Sequence, residues 1–369
     1  MRILIISPFP PPVHGHSLAG KMAYEGLKQT NEVTIIDSAL DKNFSGNKLP
    51  PIYSPNRIWK ILVTLVRDSR IFFSQHYDIV YMGIGISFRG FMRYAPYMVM
   101  AMMKNEPYVL HTHGSTFRAM YDSVGEWKRF VLRFLLKRAA GVIVLGNSLR
   151  SMFEGIVSEG EIYVCENGVE NTSFAKNADI EGKKRQRGRK LSLLFLSNLM
   201  RAKGILELIE AFPSVPDAVL HLAGAVEPDD EVKGKISRFY KENPDRVIYH
   251  GVVHGEEKRK LLLNSDIFVL PSKNEGQPIS ILEAYATGCA VVTDEKVGGI
   301  SDIYTDGING VGCNHDSAES IASAIESTRK TLDIYTDVNY KAAHRYSQQA
   351  FTERLEAILK QAVAGKPGR

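Results

Sequence analysis

Short apolar runs alternate with longer segments of helical periodicity along the whole chain, the pattern of βαβ units around a parallel sheet. In the first half, strands are predicted at Arg2 to Ser7, Val33 to Asp37, Ile79 to Met82, Tyr108 to His111, Gly141 to Leu145 and Ile162 to Cys165. The rhythm stops between residues 175 and 190, where Lys183 to Lys190 holds six basic residues in eight with no apolar periodicity. No aromatic is interleaved, so a solvated linker over 179–190 is expected rather than a nucleic-acid patch. Strands resume at Leu193 to Leu196, Ala218 to Ala223, Val247 to Tyr249, Ile267 to Leu270 and Ala290 to Thr293, and Tyr340 to Ala362 reads as a closing helix. The prediction is two doubly wound α/β domains, 1–178 and 191–344, with residues from about 345 to the end packing back on the first.

The length of 369 residues agrees with two domains, and a composition of 44% hydrophobic and 24% charged residues excludes disorder as the main state. A net charge of +5 is too weak to argue for nucleic acid, but its distribution is uneven. Between Arg57 and Arg150 stand 14 Lys/Arg against 5 Asp/Glu, an excess of nine that leaves the rest of the chain at −4. Cys165, Cys289 and Cys313 are far apart and odd in number, which fits a reducing cytoplasm better than a disulfide framework or a CxxC metal or redox site. The apolar opening runs into Pro8, Pro10, Pro11 and Pro12 instead of a cleavage site, and the longest apolar stretch, Tyr94 to Met103, is interrupted by Pro96. It is about half of what a membrane span requires.

Two such domains commonly bind a nucleotide at the carboxyl ends of their strands, so the loops decide the ligand. Pro8 to Ser17 is not GxGxxG, Gly83-Ile84-Gly85 lacks the third glycine, and there is no GxxxxGK[ST] and no Asp-x-Asp. The densest motif is Pro271 to Gly288, following the strand Ile267 to Leu270. Pro278 suits the first helical position and Gly288 the C-terminal cap, which predicts a helix over 278–287 whose free N–H groups favour phosphate. Glu275 precedes this helix and Glu283 lies on its second turn, too far apart for one small group but able to serve two ends of a long ligand. Spacing alone equally allows a solvated carboxylate at Glu283 and a dipole-complementing charge at Glu275.

Glu275, seven residues, then Glu283 within "NEGQPISILEAYATG" resembles the signature of the retaining glycosyltransferases of family 4, which have the GT-B fold of two Rossmann-like domains facing across a cleft. The resemblance extends over most of the chain. "PPPVHGHS" at 10–17 is similar to the family's glycine loop, "VLGNSLRSMF" and "IYVCENGVE" to the end of its first domain, and "LLFLSNLMRAKGILELIEAF" at 193–212 to the start of its second. "GGISDIYTDGINGV" at 298–311 is similar to the stretch beyond the signature helix.

The resemblance implies that Glu283 holds the ribose hydroxyls of a nucleotide and that Glu275 meets the donor sugar near the reacting carbon. It places the diphosphate against the backbone of Gly276, Gln277, Pro278, Ile279 and Ser280 and of Gly15, with Lys203 as the phosphate-binding lysine. The plain alternative for Lys203 is a surface lysine at a loop end. Where many members have Gly-Arg, this chain has Ser197-Asn198, so the second cation falls to Arg201, or Asn198 serves as a neutral donor; the first glycine of the loop is replaced by His14. His113 in "VLHTHGSTF" matches the family's active-site histidine, with His111 close enough to exchange with it and a structural histidine as the alternative.

On Glu126 to Arg138, apolar residues 127, 130, 131, 134 and 135 share one helical face while Arg129, Arg133 and Lys137 align on another, and Arg57 to Phe73 is similar. Both are read either as core-facing helices with solvated basic backs or as contacts to an anionic membrane surface. Together these features lead us to expect a hexosyltransferase using a UDP- or GDP-sugar, with no metal or other cofactor, acting on a glycan or lipid-linked glycan at the cytoplasmic face of an inner membrane. A nucleotide-sugar 2-epimerase, a silent sugar-nucleotide-binding protein and, third, a nicotinamide oxidoreductase are the alternatives.

Overall fold

The computed structural model describes residues 1–11, 13, 15–39, 55–185 and 190–365. The chain divides into two compact units, Met1–Asn167 with Gln348–Arg369, and Gly168–Ser347.

In the first unit, β1 (Arg2–Ser7), β2 (Glu32–Asp37), β3 (Ile79–Ile84), β4 (Tyr108–Thr112), β5 (Gly141–Val144) and β6 (Ile162–Val164) form one parallel sheet in the order β2-β1-β3-β4-β5-β6. Its helices are α1 (Gly15–Leu27), α2 (Pro55–Phe73), α3 (Phe88–Met92), α4 (Ala95–Met103), α5 (Phe117–Ser123) and α6 (Glu126–Leu136). Leu4, Ile6, Val80, Met82, Leu110 and Val142 point to one face of this sheet and share a core with Phe72 of α2, Met98 of α4 and Leu132 of α6. Right-handed crossovers put these three helices in one layer, because the chain runs the same way along the sheet from β2 through β5.

The second unit contains α7 (Asn177–Arg185), α8 (Ile205–Ala211), α9 (Asp230–Glu242), α10 (Gly255–Leu263), α11 (Ile279–Ala286), α12 (Ala318–Arg329) and α13 (Leu332–Ala343). Its strands β7 (Leu191–Leu196), β8 (Ala218–Ala223), β9 (Val247–Tyr249), β10 (Ile267–Leu270) and β11 (Ala290–Thr293) form a parallel sheet in the order β11-β10-β7-β8-β9. The final helix, α14 (Gln348–Ala364), belongs to the first unit and packs on α1.

All eleven predicted strands are present, within two residues at each end. Two expectations are corrected. The division falls at Asn167 rather than 178, and residues 177–185, expected partly as solvated linker, form α7 inside the second unit. Lys183 is buried there and donates from Nζ to the carbonyl of Thr287 at 2.9 Å, while Arg259 reaches Asp179 at 3.1 Å. Residues 186–189 of the basic run lie outside the described residues, as does His14. The single closing helix is two helices, broken where Ser347 turns extended and Val169 donates from its N–H to the carbonyl of Tyr346 at 2.7 Å. The apolar face of α6, which the sequence allowed to be read two ways, is divided: Leu135 is buried and Val131 packs against the core. Leu132, Leu135 and Leu136 are buried, whereas Trp127, Phe130 and Phe134 are exposed. Arg129 and Arg133 bond Tyr121 and Asp122 of α5, which holds the arginine stripe beside that helix.

Candidate functional site

In the second sheet the chain leaves β7 toward β8 on one side and returns to β10 on the other, so β7 and β10 flank a topological switch point. Both following loops carry the residues singled out in the sequence. After β7 come Ser197 and the exposed Asn198, then a single 3-10 turn, Arg201–Lys203. After β10 come Pro271 to Pro278 and then α11. The loops are stitched together, since Lys273 donates from its N–H to the carbonyl of Ala202 at 2.9 Å and the Ser272 hydroxyl donates to the same carbonyl at 3.1 Å.

Gly204 closes the turn at φ +75°, and an added Cβ there would lie 1.9 Å from the carbonyl oxygen of Pro271. Only glycine allows this approach. Its consequence is the central geometry of the site: Lys203 Nζ donates to Glu275 Oε1 at 2.6 Å across 72 positions of sequence. Glu275 is buried and Lys203 partly so, which keeps the pair from full screening by water.

Pro278 is the residue before α11 rather than its first helical residue, and the helix runs Ile279–Ala286 with Gly288 at φ +65° just beyond. Gly276 and Gln277 are buried, and Ile279 and Ser280 are half-buried at the helix start. Glu283 accepts from Lys258 Nζ of α10 at 2.5 Å. Sequence reasoning missed Lys258, and nothing local in its run of charges marks it, because only the packing of α10 brings it to α11.

Arg201, one of the two alternatives for the second cation, is bonded to carboxylates. Its guanidinium lies 2.5 Å from Glu231 and 3.8 Å from Asp229, and its backbone N–H donates to Glu227 at 3.1 Å. Arg201 is thus held by carboxylates at and beside the start of α9, while Lys203 alone of the two reaches Glu275.

The first unit has its own switch point, between β1 and β3. Gly15 is the exposed first residue of α1, where an added Cβ would meet no atom within 4 Å. His16 follows it, with its ring centroid 4.7 Å from that of His113, and His113 lies 4.2 Å from His111. His111 Nδ1 shares a hydrogen bond with the Tyr81 hydroxyl at 2.8 Å. The structure therefore separates the two histidines that the sequence left interchangeable. His111 is wholly buried on β4, while His113 lies beyond the strand end. His16 and Tyr81 were not singled out in the sequence.

Burial first, and the charge of His16 second, push the His111 pKa down to about 3. The folded protein thus refuses a proton that the unfolded chain takes up near pH 6.5. The stability this represents is complete above about pH 6.5 and is lost as pH falls, by at most about 1.4 kcal/mol per pH unit from this residue. Chemical denaturation of wild type and His111→Gln between neutral and acid pH is expected to show a shallower acid-side slope for the variant; parallel slopes would contradict the assignment.

Among the described residues no group of three or more His, Cys, Asp or Glu side chains is placed to hold a metal ion.

Comparison with known proteins gives the class. Residues 176–352 match the family described as glycosyl transferases group 1, nearly the span of the second unit. A putative teichuronic acid biosynthesis glycosyltransferase of Bacillus subtilis is 32% identical over 209 residues, covering 54% of this chain and 49% of that protein. A capsular polysaccharide biosynthesis glycosyltransferase of Staphylococcus aureus is 23% identical over 257 residues, covering 64% and 67%. The chain spans about half the length of most of the curated relatives it matches. Among solved structures, an Anabaena protein in complex with UDP and glucose superposes with a TM-score of 0.71 at 19% identity, over 98% of this chain and 100% of that one. A sucrose-phosphate synthase from Thermosynechococcus elongatus gives 0.78 at 16% identity, over 99% and 100%. The fold is that of the GT-B glycosyltransferases. Over residues 176–352 the second unit is similar to the glycosyl transferases group 1 family.

Proposed function

We propose that the chain is a glycosyltransferase that moves a hexosyl group from a nucleotide diphosphate sugar to a glycan acceptor with retention of anomeric configuration. The observation that carries this reading is the Lys203–Glu275 pair at the switch point of the second sheet, beside the start of α11. A cation beside a helix N-terminus is suited to a diphosphate, and its charge stabilises that group most as it departs. Lys203 supplies the counter-charge, with no metal assigned. The backbone of Gly276 to Ser280 holds phosphate oxygens, and Asn198 is a neutral donor in place of a second cation. Glu283, fixed by Lys258, takes the ribose hydroxyls, and Glu275 takes the transferred sugar.

In this reaction the bond from the anomeric carbon to the diphosphate oxygen breaks, and a bond to the acceptor oxygen forms on the same face of the sugar. The acceptor proton passes to the departing phosphate oxygen. His113 has the role of a polar contact to the transferred sugar, and its replacement by Ala is expected to lower turnover far more than nucleotide affinity. Should His111→Ala show that split while His113→Ala does not, the two roles are exchanged.

The relatives named for teichuronic acid and capsular polysaccharide synthesis support an acceptor of that kind, a lipid-linked polysaccharide or lipopolysaccharide intermediate at the cytoplasmic side of a membrane. The Anabaena protein's UDP favours a uridine donor, with GDP as the second choice. Calorimetry with UDP, GDP and ADP tests the donor, a tenfold preference corresponding to about 1.4 kcal/mol. Donor turnover without any acceptor would indicate an epimerase instead, and binding without turnover a silent sugar-nucleotide-binding protein.

A further inference from the structure

The helical layer of α2, α4 and α6 covers one face of the first sheet, yet its outer side is apolar. On α2, Trp59, Leu62, Val63, Val66 and Phe73 recur at helical spacing, and all are at least half exposed. On α4, Val99 and Met103 are exposed on the neighbouring turn positions. On α6, the exposed residues are Trp127, Phe130 and Phe134, and the Trp127 ring meets Phe88 of α3 at 6.4 Å, joining α6 to the rest of the layer. Of the 16 large apolar side chains exposed among the described residues, ten lie on these three helices, including both tryptophans of the chain. Scattered exposed apolar residues are ordinary, whereas a continuous layer of them marks an interaction surface.

The charges around this layer select its occupant. The cations stay outward: Arg70, Lys137 and Arg138 are exposed, Arg138 stacks on Phe134 at 3.6 Å, and Lys128 lies over Phe88 at 5.0 Å. The acids are few: Asp68 is buried and accepts from the Tyr97 hydroxyl at 2.6 Å, and the exposed Glu126 is paired with Arg129 at 3.0 Å; these are the only acids on the three helices. A second copy meeting this face by twofold symmetry would oppose cation to cation. An anionic lipid surface complements both features, with aromatic and aliphatic side chains entering the headgroup boundary and Lys/Arg facing phosphate.

We infer that this outer layer is a docking face for an anionic lipid leaflet, with α2 and α6 lying on it together. No helix among the described residues is long and apolar enough to cross a membrane, so the contact is interfacial. The inference stands on the surface alone and is independent of the donor assignment, since vesicle binding needs no substrate.

The two tryptophans provide the test. Full-length protein is titrated with phosphatidylcholine vesicles, with or without phosphatidylglycerol, at low salt, following tryptophan emission and co-sedimentation. Single-tryptophan forms, Trp59→Phe and Trp127→Phe, should each show a blue shift with anionic vesicles and little with neutral ones. Binding should weaken as salt shortens the screening length from about 30 Å at 0.01 M to about 8 Å at 0.15 M. Trp127→Ser with Phe130→Ser should lower affinity at least about tenfold, and Lys128→Gln or Arg138→Gln roughly fivefold each. Because Trp127, Phe130 and Arg138 are exposed, thermal unfolding of those variants should be unchanged, which separates lost binding from lost structure. Equal affinity for neutral and anionic vesicles, a shift at only one tryptophan, or a lipid-free dimer that shields both tryptophans from a soluble quencher would overturn the inference.

Discussion

Glu275→Gln is expected to lower turnover about ten- to a hundredfold while leaving affinity for the free nucleoside diphosphate nearly unchanged, since a hydrogen bond to a charged group is worth roughly 1.5 to 3 kcal/mol. Glu275 is assigned to the sugar, where charge develops as the glycosidic bond breaks, so its contribution falls in the transition state. Glu283→Gln should behave oppositely. The ribose is held alike in ground and transition states, so binding of both nucleotide and nucleotide sugar weakens with a smaller change in turnover of the bound donor. Lys258 sharpens the comparison because it touches Glu283 and none of the reacting atoms. Lys258→Met should reproduce the binding defect of Glu283→Gln and none of the turnover defect of Glu275→Gln. Calorimetry with the preferred diphosphate, beside turnover, decides it. If Glu275→Gln weakens diphosphate binding as much as Glu283→Gln does, the division of roles is wrong.

The second large effect is on stability. Gly204→Ala introduces a Cβ that would lie 1.9 Å from the Pro271 carbonyl oxygen at a residue with φ +75°. The left-handed conformation alone costs about 1 to 2 kcal/mol for a residue with a side chain, and relieving the contact requires the backbone to move. A total of about 3 kcal/mol or more is expected, and at about 2 to 4 °C per kcal/mol for a domain of this size the unfolding midpoint should fall by about 6 °C or more. The movement also draws Lys203 away from Glu275, so nucleotide affinity should fall with stability. Gly234→Ala is the matched control. It lies inside α9 with nothing within 4 Å of an added Cβ, and should gain about 0.5 to 1 kcal/mol. Equal melting curves for Gly204→Ala and wild type would remove the close approach from the account of the site.

These same loops support Lys203 as the proposed principal cation on the diphosphate. Arg201 sits two residues away, yet its guanidinium is already bonded to Glu231. Recruiting it would mean breaking that contact, whereas Lys203 already stands beside Glu275.

The strands were legible in the sequence because a strand buried on both faces is a short, continuous apolar run, as at Ile79–Ile84 and Ile267–Leu270. The helix after Glu275 was legible from Pro278 and Gly288, whose backbone restrictions are local and set its ends to within a residue. Three things were decided by the tertiary structure. Periodicity reports that α6 has an apolar face but not how much of it is covered; packing buried Leu135 and left Trp127, Phe130 and Phe134 exposed. Charge density made 179–190 resemble a linker, but burying Ile180 and binding Lys183 to the Thr287 carbonyl made residues 177–185 a helix of the second unit. The lysine partners of the two glutamates depend on which strand ends and helices become neighbours. Lys203 meets Glu275 because β7 pairs with β10 and Gly204 lets their loops touch, and Lys258 meets Glu283 because α10 packs beside α11. A sequence states which groups are available to a site, and only the ordering of strands in the sheet determines which of them stand within hydrogen-bonding distance.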